Sequence, residues 1–201
     1  NKEIEKATAI YDLLQPHLKP QKIYSAELTL NSHLLLGDID CIGEEYIDYR
    51  TGGLRERQKI EVWIKHLFRA ATGANGCSRL ISKHPTHANK ANEAIFHEVP
   101  EHDAIQYLGE LTELYTNSLG KPFAYLPEAS AAYFDAYLAD NDVKKALDKA
   151  HKHFNSGRVP GEGLDPYYKR LYQFPLDAEH NFSAIAERIL SPMRQYWEKL
   201  K

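Results

Sequence analysis

The 201-residue chain has only two cysteines, one methionine and no surplus of basic charge. Each shortage excludes something. Cys41 and Cys77 are too few for a disulfide-stapled secreted scaffold, and neither sits in a Cys-x-x-Cys pair. The simplest reading is a reducing, cytoplasmic compartment with both thiols acting as small buried hydrophobes. A formal net charge of −3 argues against an autonomous, tight DNA binder, which presents a basic face. No apolar run approaches the roughly 20 residues that span a bilayer. Asn1-Lys2-Glu3-Ile4 lacks the apolar stretch of a signal peptide. With Met193 as the single methionine, the chain reads as part of something longer. The glycine-rich run from Gly157 to Gly163 lacks the Gly-Lys-Ser/Thr ending of a P-loop and reads as a turn. His84 and His87 have no Cys or acidic partner at metal-ligand spacing.

What is present fits one sizeable core with a small appended subdomain. Glu3 to Gln15 carries Ile4, Ala7, Ile10, Tyr11 and Leu14 on one helical face, and Pro16 and Pro20 end it. Lys22–Leu30 and His33–Ile42 alternate as strands around an Asn31-Ser32 turn, and Glu45–Arg50 follows through Gly43-Glu44. The three read as a meander of antiparallel hairpins. A helix is predicted from Leu54 to Ala71, with Ile60, Trp63, Ile64, Leu67 and Ala71 on one side; Trp63 is core and His66 a paired core histidine. Short strands are expected over Cys77–Ser82 and Glu93–Val99, with Lys83–Asn92 as the loop between them. The second half reads as helices over Glu101–Ser118, Ser130–Leu138, Asp142–His153 (capped by Asp140 or Asn141) and Ala178–Lys199. Asp165-Pro166 reads as an N-cap followed by proline at the first helical position. The order implies an α/β fold: a mixed central sheet of about five strands flanked by helices, with a helical C-terminal extension. Residues 1–100 form the core, and 101–201 complete and extend the same domain.

The chemistry concentrates between Leu36 and Gly52. Alternation puts Asp38 and Asp40 on one face of their strand, and Asp48 and Arg50 on one face of the next. Folding at Ile42–Glu45 brings the two sets side by side. Clustered carboxylates repel unless a cation sits between them, and Mg²⁺ favours such ligation. The metal would activate a water for phosphodiester hydrolysis. The arrangement resembles the PD-(D/E)xK nuclease core. Gly37-Asp38-Ile39-Asp40 fits its first strand, and Asp48-Tyr49-Arg50-Thr51-Gly52 its second, with Arg50 where that family has lysine. Gln58 lies in the following helix, but Glu61 stands where a Gln-x-x-Tyr spacing needs tyrosine. Arginine stays protonated and presents a planar fork, so the exchange is not conservative at a catalytic position. Three readings follow: an ion-pair patch, a metal or phosphate site that does not cut, and a working nuclease with Asp40 and Asp48 as Mg²⁺ ligands. Further on, Tyr167, Tyr168, Lys169 and Arg170, with Tyr172, mix aromatics with cations as a single-strand-binding surface does, or form the core side of a short helix.

Four blocks resemble one family, the C-terminal domain of RecC, the gamma subunit of exodeoxyribonuclease V. They are Asp48-Tyr49-Arg50-Thr51-Gly52-Gly53-Leu54 with Val62-Trp63-Ile64-Lys65-His66-Leu67; Leu111-Thr112-Glu113-Leu114-Tyr115 leading into Lys121-Pro122-Phe123-Ala124-Tyr125-Leu126-Pro127; Gly161-Glu162-Gly163-Leu164-Asp165-Pro166-Tyr167-Tyr168; and Ala186-Glu187-Arg188-Ile189-Leu190-Ser191-Pro192-Met193. The resemblance implies a nuclease-like fold without its own catalysis or cofactor. It implies RecB and RecD as partners, with the duplex end and separated strands nearby, in recombinational repair of double-strand breaks.

Overall fold

A helix and a strand order themselves first by which faces they must bury, and here β3 decides the arrangement. Its Tyr46 and Ile47 are both buried although they point to opposite faces, so the strand needs cover on both sides. The computed structural model describes residues 2–84, 86–87, 90–121, 123–156, 161–172 and 181–200. Its elements are α1 (Lys2–Leu14), β1 (Gln21–Leu30), β2 (His33–Ile42), β3 (Tyr46–Arg50), α2 (Glu56–Ala71), β4 (Ser78–Lys83), β5 (Ala91–Phe96) and α3 (Glu101–Gly120). There follow α4 (Pro127–Asp140), α5 (Val143–Phe154), α6 (Pro166–Leu171), α7 (Phe182–Gln195) and β6 (Trp197–Lys199).

The mixed α/β class holds, with one difference in topology. Four strands form a sheet in the order β3-β4-β5-β6, in which β3 and β4 are parallel and the other pairs antiparallel. β1 and β2 form a separate two-stranded ribbon. The expected three-strand meander is therefore corrected. The turn at Gly43-Glu44 closes one bridge, Ile42 to Glu45, and there pairing stops. β2 keeps one face in solvent, with Leu34, Leu36, Asp38 and Asp40 exposed, whereas β3 leaves for a sheet covered on both faces. The other hairpin turn is as expected: Asn31 and Ser32 take φ of 50° and 65°, the signature of a tight two-residue turn.

The chain divides into two compact units, residues 1–114 with 193–201, and residues 115–192. In the first, Ile10 and Leu14 of α1 pack on Ile42, Ile47 and Ile81. α2 covers the opposite face. Its Trp63 is fully buried against Phe96 at 5.1 Å and Tyr196 at 6.0 Å between ring centroids. One turn on, His66 lies between the Ser78 hydroxyl (2.8 Å to Nδ1) and the His97 carbonyl (3.0 Å to Nε2). A carbonyl only accepts, so Nε2 carries the proton and Nδ1 accepts from Ser78.

In the second unit, α4 and α5 pair as a helical hairpin. Asn141 ends α4 at φ 50°, and the side chain of Asp142, rather than Asp140 or Asn141, caps α5 by accepting from the Lys145 amide at 3.1 Å. Tyr133 is buried against Phe182. Asp165 caps α6 as expected, accepting from Tyr167 and Tyr168. Gly163 is required by packing: a Cβ there would lie 2.7 Å from the Phe154 ring. Glu162 beside it accepts the amides of Glu128 and Ala129 at 3.1 and 3.0 Å, closing the start of α4.

The final helix is shorter than expected, and residues 178–180 lie outside the described part. α7 stops at Gln195, and Trp197–Lys199 adds to the sheet edge because Phe96 pairs with Trp197 in register. Among the described residues no helix is long and apolar enough to cross a membrane. Cys41 is buried and Cys77 half-buried, and both thiols are free.

Burial drives the His66 pKa down from 6.5 to about 4. A depressed folded pKa means that the unfolded chain binds the proton more readily. The stabilisation is complete above pH 6.5 and is lost as pH falls toward about 4, a loss on the order of 3 kcal/mol. Chemical denaturation at pH 7 and pH 4.5 should show a steep loss in the native chain. In His66→Gln the pH 7 stability should be lower and the loss on acidification smaller; equal losses would refute this assignment.

Candidate functional site

The sequence-predicted nuclease residues are held by three separate devices. Asp38 and Asp40 share a face of β2, as alternation requires, and that face is exposed; across the ribbon they stand opposite Ser25 and Ile23. Asp48 and Arg50 share the α2-facing side of β3 with Tyr46, whose hydroxyl accepts from Lys65 of α2 at 3.2 Å. Both Nε and Nη2 of Arg50 donate to one Asp48 oxygen, at 2.8 and 2.5 Å. Gln58 is used locally. Its Oε1 accepts the Arg55 amide at 2.7 Å and closes the first turn of α2.

This arrangement does not fit a divalent metal. The side chain in the nuclease lysine position donates both of its near nitrogens to the carboxylate that would have to be a ligand. Asp40 lies in a different sheet and faces out. Among the described residues no group of three or more His, Cys, Asp or Glu is placed to hold a metal ion. A guanidinium cannot give up its proton near neutral pH, so residue 50 provides no proton transfer. What the pair supplies is modest: a partly exposed ion pair contributes roughly 0.5–1 kcal/mol.

With this geometry established, known proteins offer a comparison. A sequence profile of the RecC C-terminal domain matches residues 1–138. The chain belongs to that family. Of the four RecC-like blocks, the first two fall inside the matched span and the last two beyond it. Among curated proteins, the RecBCD enzyme subunit RecC of Escherichia coli strain K12 is 32% identical over 159 residues, which is 74% of this chain and 14% of the relative. The RecBCD enzyme subunit RecC of Buchnera aphidicola subsp. Schizaphis graminum is 26% identical over 182 residues, 85% of this chain and 16% of the relative. The chain thus spans about one sixth or less of the RecC proteins it matches.

Within this RecC-type domain, the aromatic and basic cluster of α6 is a surface feature. Tyr167 is 79% exposed, and Lys169 and Arg170 are exposed; Tyr168 is half-buried. Tyr172 goes inward, its hydroxyl donating to the Phe123 carbonyl at 2.9 Å. A second basic surface was not singled out from the sequence. α5 buries Ala146, Ala150 and Phe154 and exposes Lys144, Lys145, Lys149 and Lys152. Lys145, Lys149 and Lys152 recur at i, i+4 and i+7 and so share one helix face. That spacing was available as a signal, but the net charge of the whole chain hides it.

Arg50→Lys restores the nuclease residue type, yet Asp40 stays on the ribbon's outer face. Calorimetric titration with Mn²⁺ should show no saturable binding tighter than ~1 mM in either the native chain or Arg50→Lys, the range in which isolated carboxylates hold such ions. Tighter binding by the variant would show that residue 50 alone separates this site from a metal centre.

Proposed function

We propose that this domain serves assembly and DNA guidance within a RecBCD-type helicase–nuclease and does not itself cut DNA. RecB and RecD are its protein partners, the separated strands of a duplex end are its nucleic-acid surroundings, and its setting is the cytoplasm. The observation that carries the reading is the double hydrogen bond of Arg50 to Asp48. It supports a frame of nuclease type put to another use. The carboxylate is neutralised by a fixed cation, so neither Mg²⁺ nor another cofactor has a task in this domain. Asp40, Asp48, Arg50 and Gln58 then have structural rather than catalytic parts.

Guidance of DNA requires exposed cations, because phosphate contacts with counterion release supply nearly all sequence-independent affinity. The exposed α5 lysines and the α6 group Tyr167, Lys169 and Arg170 supply cations and a stacking ring within one unit. Tyr168 supports this surface from a half-buried position. The runner-up, a metal-dependent nuclease using Asp40 and Asp48, makes the opposite prediction for a single assay.

A nicking assay with Mg²⁺ or Mn²⁺ should show no cleavage. Cleavage that disappears in Asp48→Ala would overturn the reading in favour of the nuclease. Single-stranded DNA should be retained at ~50 mM salt and released as salt rises. Lys145→Glu with Lys149→Glu should flatten the log–log salt slope by about 1.4, roughly 0.7 for each phosphate that a lysine no longer neutralises. No retention at ~50 mM salt would remove the guidance role, and failure of RecB to retain the chain in a pull-down would remove the assembly role.

A further inference from the structure

One face of the β1–β2 ribbon is fixed to α2. There the Tyr24 hydroxyl donates to the Thr72 carbonyl at 3.0 Å. Gly37 lies against the Phe68 ring, where a Cβ would come within 2.8 Å. The opposite face carries Ile23, Ser25, Glu27 and Thr29 of β1, and Leu34, Leu36, Asp38 and Asp40 of β2, all exposed. Leu34 and Leu36 are 58% and 70% exposed. This face has three carboxylates and no lysine, arginine or histidine.

The outer edge of β2 is open as well. β2 pairs with β1 on one side and, among the described residues, with no strand on the other; only its last residue, Ile42, bridges onward to Glu45. The tight turn at Asn31-Ser32 makes Leu30 and His33 a pair that exchanges both ladder hydrogen bonds. Such pairs recur at every second residue, so Leu34, Leu36, Asp38 and Asp40 turn their amides and carbonyls away from β1. These are the same four residues whose side chains stand on the exposed face. Edges are ordinarily guarded by a bulge, a proline or a lysine. β2 has none of these, and its 10-residue register is unbroken. A row of alternating N–H and C=O groups is matched by an extended peptide backbone. A phosphate backbone offers no donors and is repelled by the aspartates. The side chains along the edge run from apolar near the turn to acidic near the base, and cross-strand neighbours pair best apolar with apolar and acid with base. A second copy of the chain is a poor match. At full overlap, antiparallel self-pairing sets Asp38 against Leu36 and Asp40 against Leu34, so neither aspartate gains a cation.

We propose that the outer edge of β2 takes up an extended segment of a protein partner as an added strand. The segment runs antiparallel, the more stable pairing per residue. It brings basic residues opposite Asp40 and Asp38 and apolar residues opposite Leu36 and Leu34. The proposal rests on the assembly reading for the existence of a partner, and on the ribbon for its chemistry.

Titration of the ¹⁵N-labelled 201-residue chain with acetyl-Lys-Thr-Lys-Thr-Leu-Thr-Leu-amide tests this directly. The amide resonances of Leu34, Leu36, Asp38 and Asp40 should shift saturably, and their hydrogen exchange should slow. Acetyl-Glu-Thr-Glu-Thr-Leu-Thr-Leu-amide should bind at least about tenfold more weakly, near 1.4 kcal/mol. Asp38→Lys with Asp40→Lys should reverse that preference. Melting followed by circular dichroism verifies that this variant is folded, and the comparison of peptides on the native chain stands without it. N-methylation of the first leucine of the Lys peptide removes a donor that faces β2 and should abolish binding. N-methylation of the threonine before it, whose amide faces away, should leave binding intact. Amides that ignore the Lys peptide overturn the proposal. So does equal weakening by the two N-methyl groups, which would mean docking by side chains alone. A thymidine 12-mer that shifts the same amides overturns it in favour of a nucleic-acid contact. A dimer in sedimentation equilibrium that Leu36→Lys dissolves overturns it in favour of a second copy. No peptide response with RecB still retained in the pull-down removes the edge site and leaves the assembly reading. A normal peptide response with RecB lost removes the assembly reading and leaves the edge site.

Discussion

The seating of α2 on the four-stranded sheet sets the position of almost everything chemical in the first unit. Trp63 provides the apolar area, and His66 fixes the register by accepting from Ser78 on β4 and donating to the His97 carbonyl just after β5. The imidazole must be neutral for both bonds to form, and burial keeps it so. From that anchor the helix delivers Lys65 to the Tyr46 hydroxyl, Gln58 to its own first turn and Arg69 to the Glu44 carbonyl. All three ride on the same rigid helix as His66, so a slip of α2 would displace all three.

Given that frame, the exchange of lysine for arginine at residue 50 has large chemical consequences and small structural ones. Both side chains carry one positive charge on β3 beside Asp48. A lysine offers a point charge that leaves room for an ion and can lose its proton. The arginine fork instead reaches back across one residue of its own strand and claims a carboxylate oxygen twice. The fold tolerates this because the pair keeps about a quarter of its surface in solvent, 26% for Arg50 and 21% for Asp48, which limits the desolvation cost. The sheet therefore carries a filled ion-pair position at Asp48 and Arg50.

Elements with strong local signals were legible in the sequence. The α2 span, the Asn31-Ser32 turn and the Asp165-Pro166 cap survive within a residue or two, because each depends on contacts a few positions away, but Ile64, placed on the expected apolar face of α2, is exposed. The β3 pairing was not legible. A two-residue turn at Gly43-Glu44 looks the same whether the next strand continues the ribbon or leaves it, and the choice is made by Ser78–Lys83, some thirty residues on. β6 was hidden for a similar reason: Trp197-Glu198-Lys199 continues a helical pattern until Phe96 offers it a partner. For the candidate site, alternation correctly put Asp38 with Asp40 and Asp48 with Arg50, and it could not say that the two pairs belong to different sheets. The burial of Arg69 gave little signal, since a cation at the end of an apolar helix face ordinarily reaches solvent.

The near-zero net charge gains a different meaning from where its charges lie. The outer face of the ribbon carries Asp38 and Asp40, and α5 carries four exposed lysines. Opposite signs carried on different elements cancel in the sum and not in the field close to each element, which at 0.1 M salt decays over about 10 Å. A strand that met α5 would meet cations, and one that met the outer ribbon face would meet carboxylates. The guidance proposed above would draw on the first of these surfaces. A uniformly basic domain would hold the strand too tightly to let it move, and a uniformly acidic one would exclude it. The weak net charge that argues against tight binding is thus compatible with steering, provided that the lysines of α5, and not the chain average, meet the phosphates.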